Sequence, residues 1–378
     1  MLAYVADAGF IPGSIYLFVG ITSEGSVGAA SGYEGNTDTY EYEVPNDAWA
    51  KKEQYPVGRM LSGYDDPIQL TQALTAPVFG KLTLGVNGKG YIAGGGLHAS
   101  LGGDQGADVY RTSEGGHNVT NYTTRFEPGH DAFASDTVHP SAKFRMASAS
   151  IPDGTPERFV VMGGVNDDGN ILKTLHTFTS PTEPGVWAGE DDLPDDRDRA
   201  DSCGAAVGSD AWFFGGVRRD GTNDIPTDDS LKWDGTAWSV GTSMPSPART
   251  QSLCGAINGD IYLLSGRSGT TGGTFQAQIE KFDPTGNAGD GSWQTLVSPV
   301  PEPSEWPVSF TDTSTRFAVT RGVVSTSNDK LFWTGGRSVG GTLYPGHELF
   351  RPEGDGGLWE AKTPIPIRWG MGTGGSIG

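Results

Sequence analysis

Cysteine is almost missing: Cys203 and Cys254 are the only two in 378 residues. Two thiols cannot supply the bridged framework that holds small secreted domains together. Positive charge is scarce as well. Lys and Arg total 26 against 46 Asp and Glu, a formal net charge of -20. A surface of that sign repels phosphate backbones, so nucleic acid is not an expected partner; the charge itself serves solubility. No apolar run is long enough to cross a bilayer, and no membrane insertion is expected. The opening stretch MLAYVADAGFIPGSIYLFVG has no basic residue, and Asp7, Gly9 and Pro12 interrupt it. It does not read as a secretory signal. Cytoplasmic synthesis is expected, with incorporation into a virion as one route outward. The 3.6-residue apolar period of amphipathic helices is also absent, which predicts very little helix.

Glycine is what the chain has in excess: 58 residues, beside 24 prolines and 10% aromatics. There is no triplet period, so collagen is excluded. Many short strands joined by turns account for the mixture. Six segments repeat a β-rich run that ends in glycine: IYLFVG (15–20), YIAGGG (91–96), FVVMGG (159–164), WFFGG (212–216), IYLLSG (261–266) and LFWTGG (331–336). β-Branched and aromatic residues followed by glycine mark a strand ending in a sharp turn. Upstream lies an arginine, then a glycine, then a hairpin into the glycine strand, as in RADSCGAAVGSDAWFFGG and PARTQSLCGAINGDIYLLSG. Downstream come a strand, a turn, a strand bearing tryptophan, and a proline, as in LKWDGTAWSVGTSMP. Each unit therefore holds four antiparallel strands. Unit two departs from the pattern, with Phe79 in place of the arginine and no tryptophan in its outer part.

The double-glycine strand ends and the spaced tryptophans resemble Kelch repeats, and the resemblance covers essentially the whole chain. It implies an all-β fold: a six-bladed β-propeller of four-stranded antiparallel blades, one domain over residues 1–378. The final stretch RWGMGTGG aligns with RTQSLCGA, an innermost strand without its partners. Residues 368–378 are expected to complete the blade begun by residues 14–54. That closes the ring and removes open sheet edges.

Aligned by their innermost strands, Arg145, Arg199, Arg249, Arg316 and Arg368 fall at one level. Five guanidiniums around one channel mouth form an anion trap and the candidate ligand-binding site. The competing reading pairs each with a loop carbonyl or a carboxylate, and DDLPDDRDRAD (191–201) places aspartates beside Arg199. A second level, read as channel-lining, comprises Leu84, Ser150, Cys203, Cys254, Arg321 and Thr373. Neighbouring inner strands splay beyond the roughly 4.4–6.8 Å that a disulfide spans between Cα atoms, so both thiols are expected to be free.

No catalytic residue, metal or cofactor is assigned. The six histidines show no metal-ligand spacing. The acidic turn VNDDGN (165–170) lacks the regular aspartates of a calcium loop. No G-x-S-x-G elbow, P-loop or H-E-x-x-H occurs. The leading expectation is a non-enzymatic binding or scaffold module. Its loops at 21–38, 55–78, 97–144 and 267–276 meet protein assembly partners or glycans, in a virion or another large assembly. The resemblance implies an alternative, a mutarotase or epimerase on an acidic sugar such as sialic acid. There an arginine grips the carboxylate opposite an acid/base residue, for which Glu305, Asp312 and Glu348 stand in suitable segments.

Overall fold

The computed structural model describes residues 14–18, 20–22, 34–36, 38–53, 77–78, 81–86, 89–97, 119–127, 130–151, 157–180, 183–194, 197–221, 223–269, 276, 278–296, 319–320, 323–327, 330–338, 346–352, 357–367, 369–370 and 373–374. Among them there is no α-helix, and no helix is long and apolar enough to cross a membrane. The chain forms six antiparallel four-stranded blades around one axis, a β-propeller. From the axis outward, blade 1 comprises Thr373–Gly374, Ser14–Phe18, Thr39–Glu43 and Ala48–Lys52. Blade 2 comprises Lys81–Val86, Lys89–Leu97, Val119–Glu127 and Ala132–Ser135; blade 3 Ala147–Ile151, Arg158–Met162, Leu175–Thr179 and Val186–Gly189. Blade 4 comprises Cys203–Val207, Asp210–Phe214, Ser230–Trp233 and Trp238–Val240; blade 5 Leu253–Ile257, Asp260–Leu264, Ile279–Asp283 and Ser292–Leu296. Blade 6 comprises Val323–Ser327, Lys330–Thr334, His347–Arg351 and Leu358–Ala361. Each innermost strand touches that of the next blade all the way round. Thr373 pairs with Phe18 and Gly374 with Leu17, which closes the ring as the repeat alignment requires.

Each blade is flanked on both faces by its neighbours, so its second strand needs apolar residues on both sides. Phe159, Val160, Val161 and Met162 are all 1% exposed or less. Burying each such side chain contributes roughly 1.5–3 kcal/mol. The core therefore lies between blades. The interface of blades 4 and 5, for example, packs Trp212 and Phe214 against Ile261, Leu263 and Phe282.

The repeated tryptophans have one job. Trp49, Trp187, Trp238, Trp293 and Trp359 each stand opposite an aromatic of the third strand: Tyr42, Phe178, Trp233, Phe282 and Phe350. Four indole N–H groups then donate to a carbonyl in the connection leaving the preceding blade: Trp49 to Thr363 (2.8 Å), Trp187 to Thr137 (3.0 Å), Trp238 to Asp191 (2.9 Å) and Trp293 to Thr242 (2.9 Å). These half-buried indoles keep a partner for the N–H while the ring packs. In blade 2 the position opposite Phe126 is Phe133, which keeps the packing without the N–H.

The glycine pairs turn the second strand toward the third through left-handed backbone. Gly215 and Gly216 have φ of 58° and 91°; Ser265 takes the same conformation at 59° where its unit lacks the first glycine. A Cβ on Gly215 would collide with the Arg249 carbonyl of the next blade.

Strand order also sorts the connections. All innermost strands run away from one end of the ring, and second strands return to it. Links from second to third strands, and from one blade to the next, therefore lie at that end. The shortest of them join Ser135 to Ala147 and Ala361 to Thr373, and the longest joins Lys52 to Lys81. The other end holds the inner hairpins and the third-to-fourth turns, of which the longest joins Asp283 to Ser292. Every connection at the first end is longer than every one at the second.

Candidate functional site

The end with the long connections is also where the lead-in to each innermost strand sits. In blades 3, 4 and 5 the residue four positions before the strand is cationic: Lys143, Arg199 and Arg249. Its carbonyl accepts a hydrogen bond from the second glycine of the preceding blade, from Gly95 (2.9 Å), Gly164 (2.7 Å) and Gly216 (2.8 Å). Its side chain turns into its own blade and reaches the start of the third strand. Arg249 is 1% exposed and pairs with the buried Glu280 at 2.7 Å. It also donates to the Gln278 carbonyl and side-chain oxygen at 3.3 Å. Arg199, also 1% exposed, pairs with Asp229, which Arg197 meets from the other side at 2.7 Å. Burial pulls the Arg199 guanidinium below its ordinary range, and the Asp229 carboxylate opposes that shift.

This register places the described members of the expected arginine level at two different positions. Arg145 lies two residues beyond the lead-in cation, whose place Lys143 takes. The same count back from Lys81, Val323 and Thr373 reaches Pro77, Val319 and Trp369, not an arginine. Arg316 and Arg368 lie outside the described residues. The two arginines that share a level, Arg199 and Arg249, hold blades together. The physical reason is that a guanidinium buried beside the third strand needs a carboxylate there, and Asp229 and Glu280 supply it.

The described members of the second level occupy different positions in their strands. Cys203 and Thr373 are first in their strands, opposite Phe214 and Phe18; Cys254 is second, opposite Leu263. Ser150 and Leu84 are fourth, opposite Phe159 and Gly90. Arg321 lies outside the described residues. Adjacent strand positions face opposite sides. A Cβ on Gly204 would meet blade 3, and one on Gly255 would meet blade 6. Cys203 and Cys254 consequently point toward each other's blades, in the interface of blades 4 and 5, rather than lining the channel. Neither cysteine is in a disulfide, as expected.

Among the described residues a different set is linked across blades 3, 4 and 5 at this end of the ring. Arg145, Asp201 and Gln251 are two residues before their strands, and all three have left-handed backbone, with φ of 58°, 54° and 58°. Non-glycine residues adopt that conformation at a cost, and such strain gathers at functional sites. Their backbones are chained: Asp201 N–H donates to the Arg145 carbonyl and Gln251 N–H to the Asp201 carbonyl, both at 2.9 Å. Their side chains converge on the Asp201 carboxylate, Arg145 at 2.6 Å and Gln251 at 3.4 Å. Asp224, at 4.0 Å from Arg145 and 2.9 Å from Arg219, extends the group outward. This floor is mixed in charge and rich in hydrogen-bonding groups. Sequence alignment missed Asp201 and Gln251 because it fixed on arginine; the usable signal was a cation, any residue, then a polar residue before the inner strand.

Among the described residues no group of three His, Cys, Asp or Glu is placed to hold a metal ion. His139, His176 and His347 are buried and held neutral by that burial. Glu348 is buried too, at 2% exposure, while Glu305 and Asp312 lie outside the described residues.

No protein-family model matches the chain, and no curated protein matches it. Among solved structures it resembles one titled "Structure of YjhT". The two superpose with a TM-score of 0.60 at 15% identity, over 92% of this chain and 97% of that one. At that identity the likeness establishes the fold alone.

Proposed function

We propose that the chain is a non-enzymatic binding module, a Kelch-type propeller that holds a protein or glycan partner at one end of its ring. One observation carries this reading: every long connection joins the described strands at the end that also bears Arg145, Asp201 and Gln251. A rigid ring with its variable segments gathered on one end suits recognition rather than turnover. The setting we propose is a virion or another large assembly. The mutarotase alternative draws less support from the described residues, where the buried Arg199 and Arg249 already hold carboxylates rather than standing ready for a sugar's.

The experiment pairs glycan-array binding, with sialylated and uronic-acid sugars included, with crosslinking in the native source. The module reading expects a reproducible glycan or a stoichiometric protein neighbour, without anomer interconversion of any bound sugar. Conversion of a sugar by the purified chain would replace it with the enzyme reading. A free monomer in the source, silent on the array, would refute both.

A further inference from the structure

The three lead-in cations differ in what they meet. Thr174 in blade 3 stands where Asp229 and Gln278 stand in blades 4 and 5, one residue before the third strand; His176 stands where Glu280 does. Lys143 therefore has neutral partners. Its Nζ lies 3.2 Å from Thr174 Oγ1 and 3.4 Å from His176 Nδ1. The amine is fully buried, and so is His139, whose ring centroid is 4.6 Å from that of His176. Burial brings the Lys143 amine down to about 7, with the Asp192 carboxylate opposing from a distance. An ammonium has three donors, and two are accounted for. His139 Nε2 and Ser141 Oγ nearby are buried and have no hydrogen-bond partner. Buried polar atoms without partners are rare in folded proteins and mark places where an ion or ordered solvent belongs.

We propose that Lys143, His139 and His176 form an internal site for a small monovalent anion such as chloride. The anion takes the part that the Asp229 and Glu280 carboxylates play in the next two blades. One buried ammonium balances one negative charge, so a divalent anion would leave charge unpaired. His139 is suited to the task. Its Nδ1 lies 2.7 Å from the Ser141 carbonyl, to which Nδ1–H donates, and 3.1 Å from the Ser141 N–H, which can serve the other tautomer once the ring turns off the carbonyl. With the anion bound, the proton moves to Nε2 and donates to the anion, while the ring turns so that Nδ1 leaves the Ser141 carbonyl and accepts from the Ser141 N–H. The site fastens blade 3 to blade 2, because the Lys143 carbonyl accepts from Gly95. It is independent of whichever partner the long-connection end holds.

The test uses the whole chain. Thermal unfolding at pH 7 is followed while sodium chloride replaces sodium gluconate at constant ionic strength, for the wild type and Lys143→Met. Separately, a wild-type crystal grown in sodium bromide is measured for anomalous scattering. The wild-type midpoint is expected to rise about 2 °C for each tenfold increase in chloride above half-saturation. Lys143→Met is expected to lose that dependence, and bromide to appear within hydrogen-bonding reach of Lys143 Nζ. A midpoint indifferent to the anion, or a variant that tracks the wild type, overturns the proposal. Should Lys143→Met fail to fold, the bromide map decides, and a map empty at Lys143 overturns it.

Discussion

Removing Glu280 should be among the most damaging single changes outside the apolar core. Arg249 and Glu280 are 1% and 2% exposed and 2.7 Å apart. In Glu280→Ala the guanidinium stays buried without its counter-charge, and Thr295 loses its 2.7 Å bond to the carboxylate. Breaking a buried pair from one side costs about 3–5 kcal/mol. Gln278 still accepts from Arg249, which places the expected loss near the lower end, about 3 kcal/mol. Replacing both partners by apolar residues, Arg249→Met with Glu280→Leu, removes the stranded charge and should recover most of the loss. The exposed Arg351–Glu360 pair is the control, with side chains 38% and 45% exposed; its removal should cost at most about 1 kcal/mol. Urea denaturation at pH 7 reads all of these. A loss below about 1 kcal/mol for Glu280→Ala, in a folded variant, would refute the claim that this arginine holds its blade together.

Stability should fall as the solution is acidified below pH 6.5. Burial holds His347 down to about 3, while the unfolded chain takes up that proton near 6.5; the unfolded state thus binds more protons between those values. At pH 5 this one residue costs about 2 kcal/mol relative to pH 7, and His347→Gln should show a correspondingly flatter profile of urea midpoint against pH. Deleting residues 368–378 removes the strand that pairs with Leu17 and Phe18, so the melting temperature should drop far more than for trimming an unpaired tail. Gly215→Ala combines left-handed backbone with a collision at the Arg249 carbonyl and should lose more than about 1 kcal/mol in the same urea assay.

Blade number and ring closure were legible in the sequence because they rest on features that recur six times. The run WFFGG needs both faces buried and a left-handed turn after it, and no single substitution hides that. Ser265 and Phe133 show the tolerance: each fills the structural place of a glycine or a tryptophan without matching it. The site was less legible because its register depends on offsets of one or two residues. Arg145 and Arg199 look equivalent by residue type, yet two positions separate them in the fold, and one joins the set linked across blades 3, 4 and 5 while the other is inside a blade. Cys203 and Cys254 differ by one strand position, which turns them to opposite faces. Burial chooses the partner of each cation, and composition cannot show it.

The central claim is that the partner is held at the long-connection end. A bulky maleimide can be attached at one end or the other, in a chain whose own thiols are removed by Cys203→Ala and Cys254→Ala. Asp220→Cys places it on the exposed hairpin Val217–Asp220 with Asn223–Pro226, at the binding end; Ser209→Cys places it on an exposed tight turn at the other. Association with the partner recovered by crosslinking or on the array is then measured for both. Loss of binding with the label at residue 220 and full binding with it at residue 209 is the predicted result; the reverse would contradict the account.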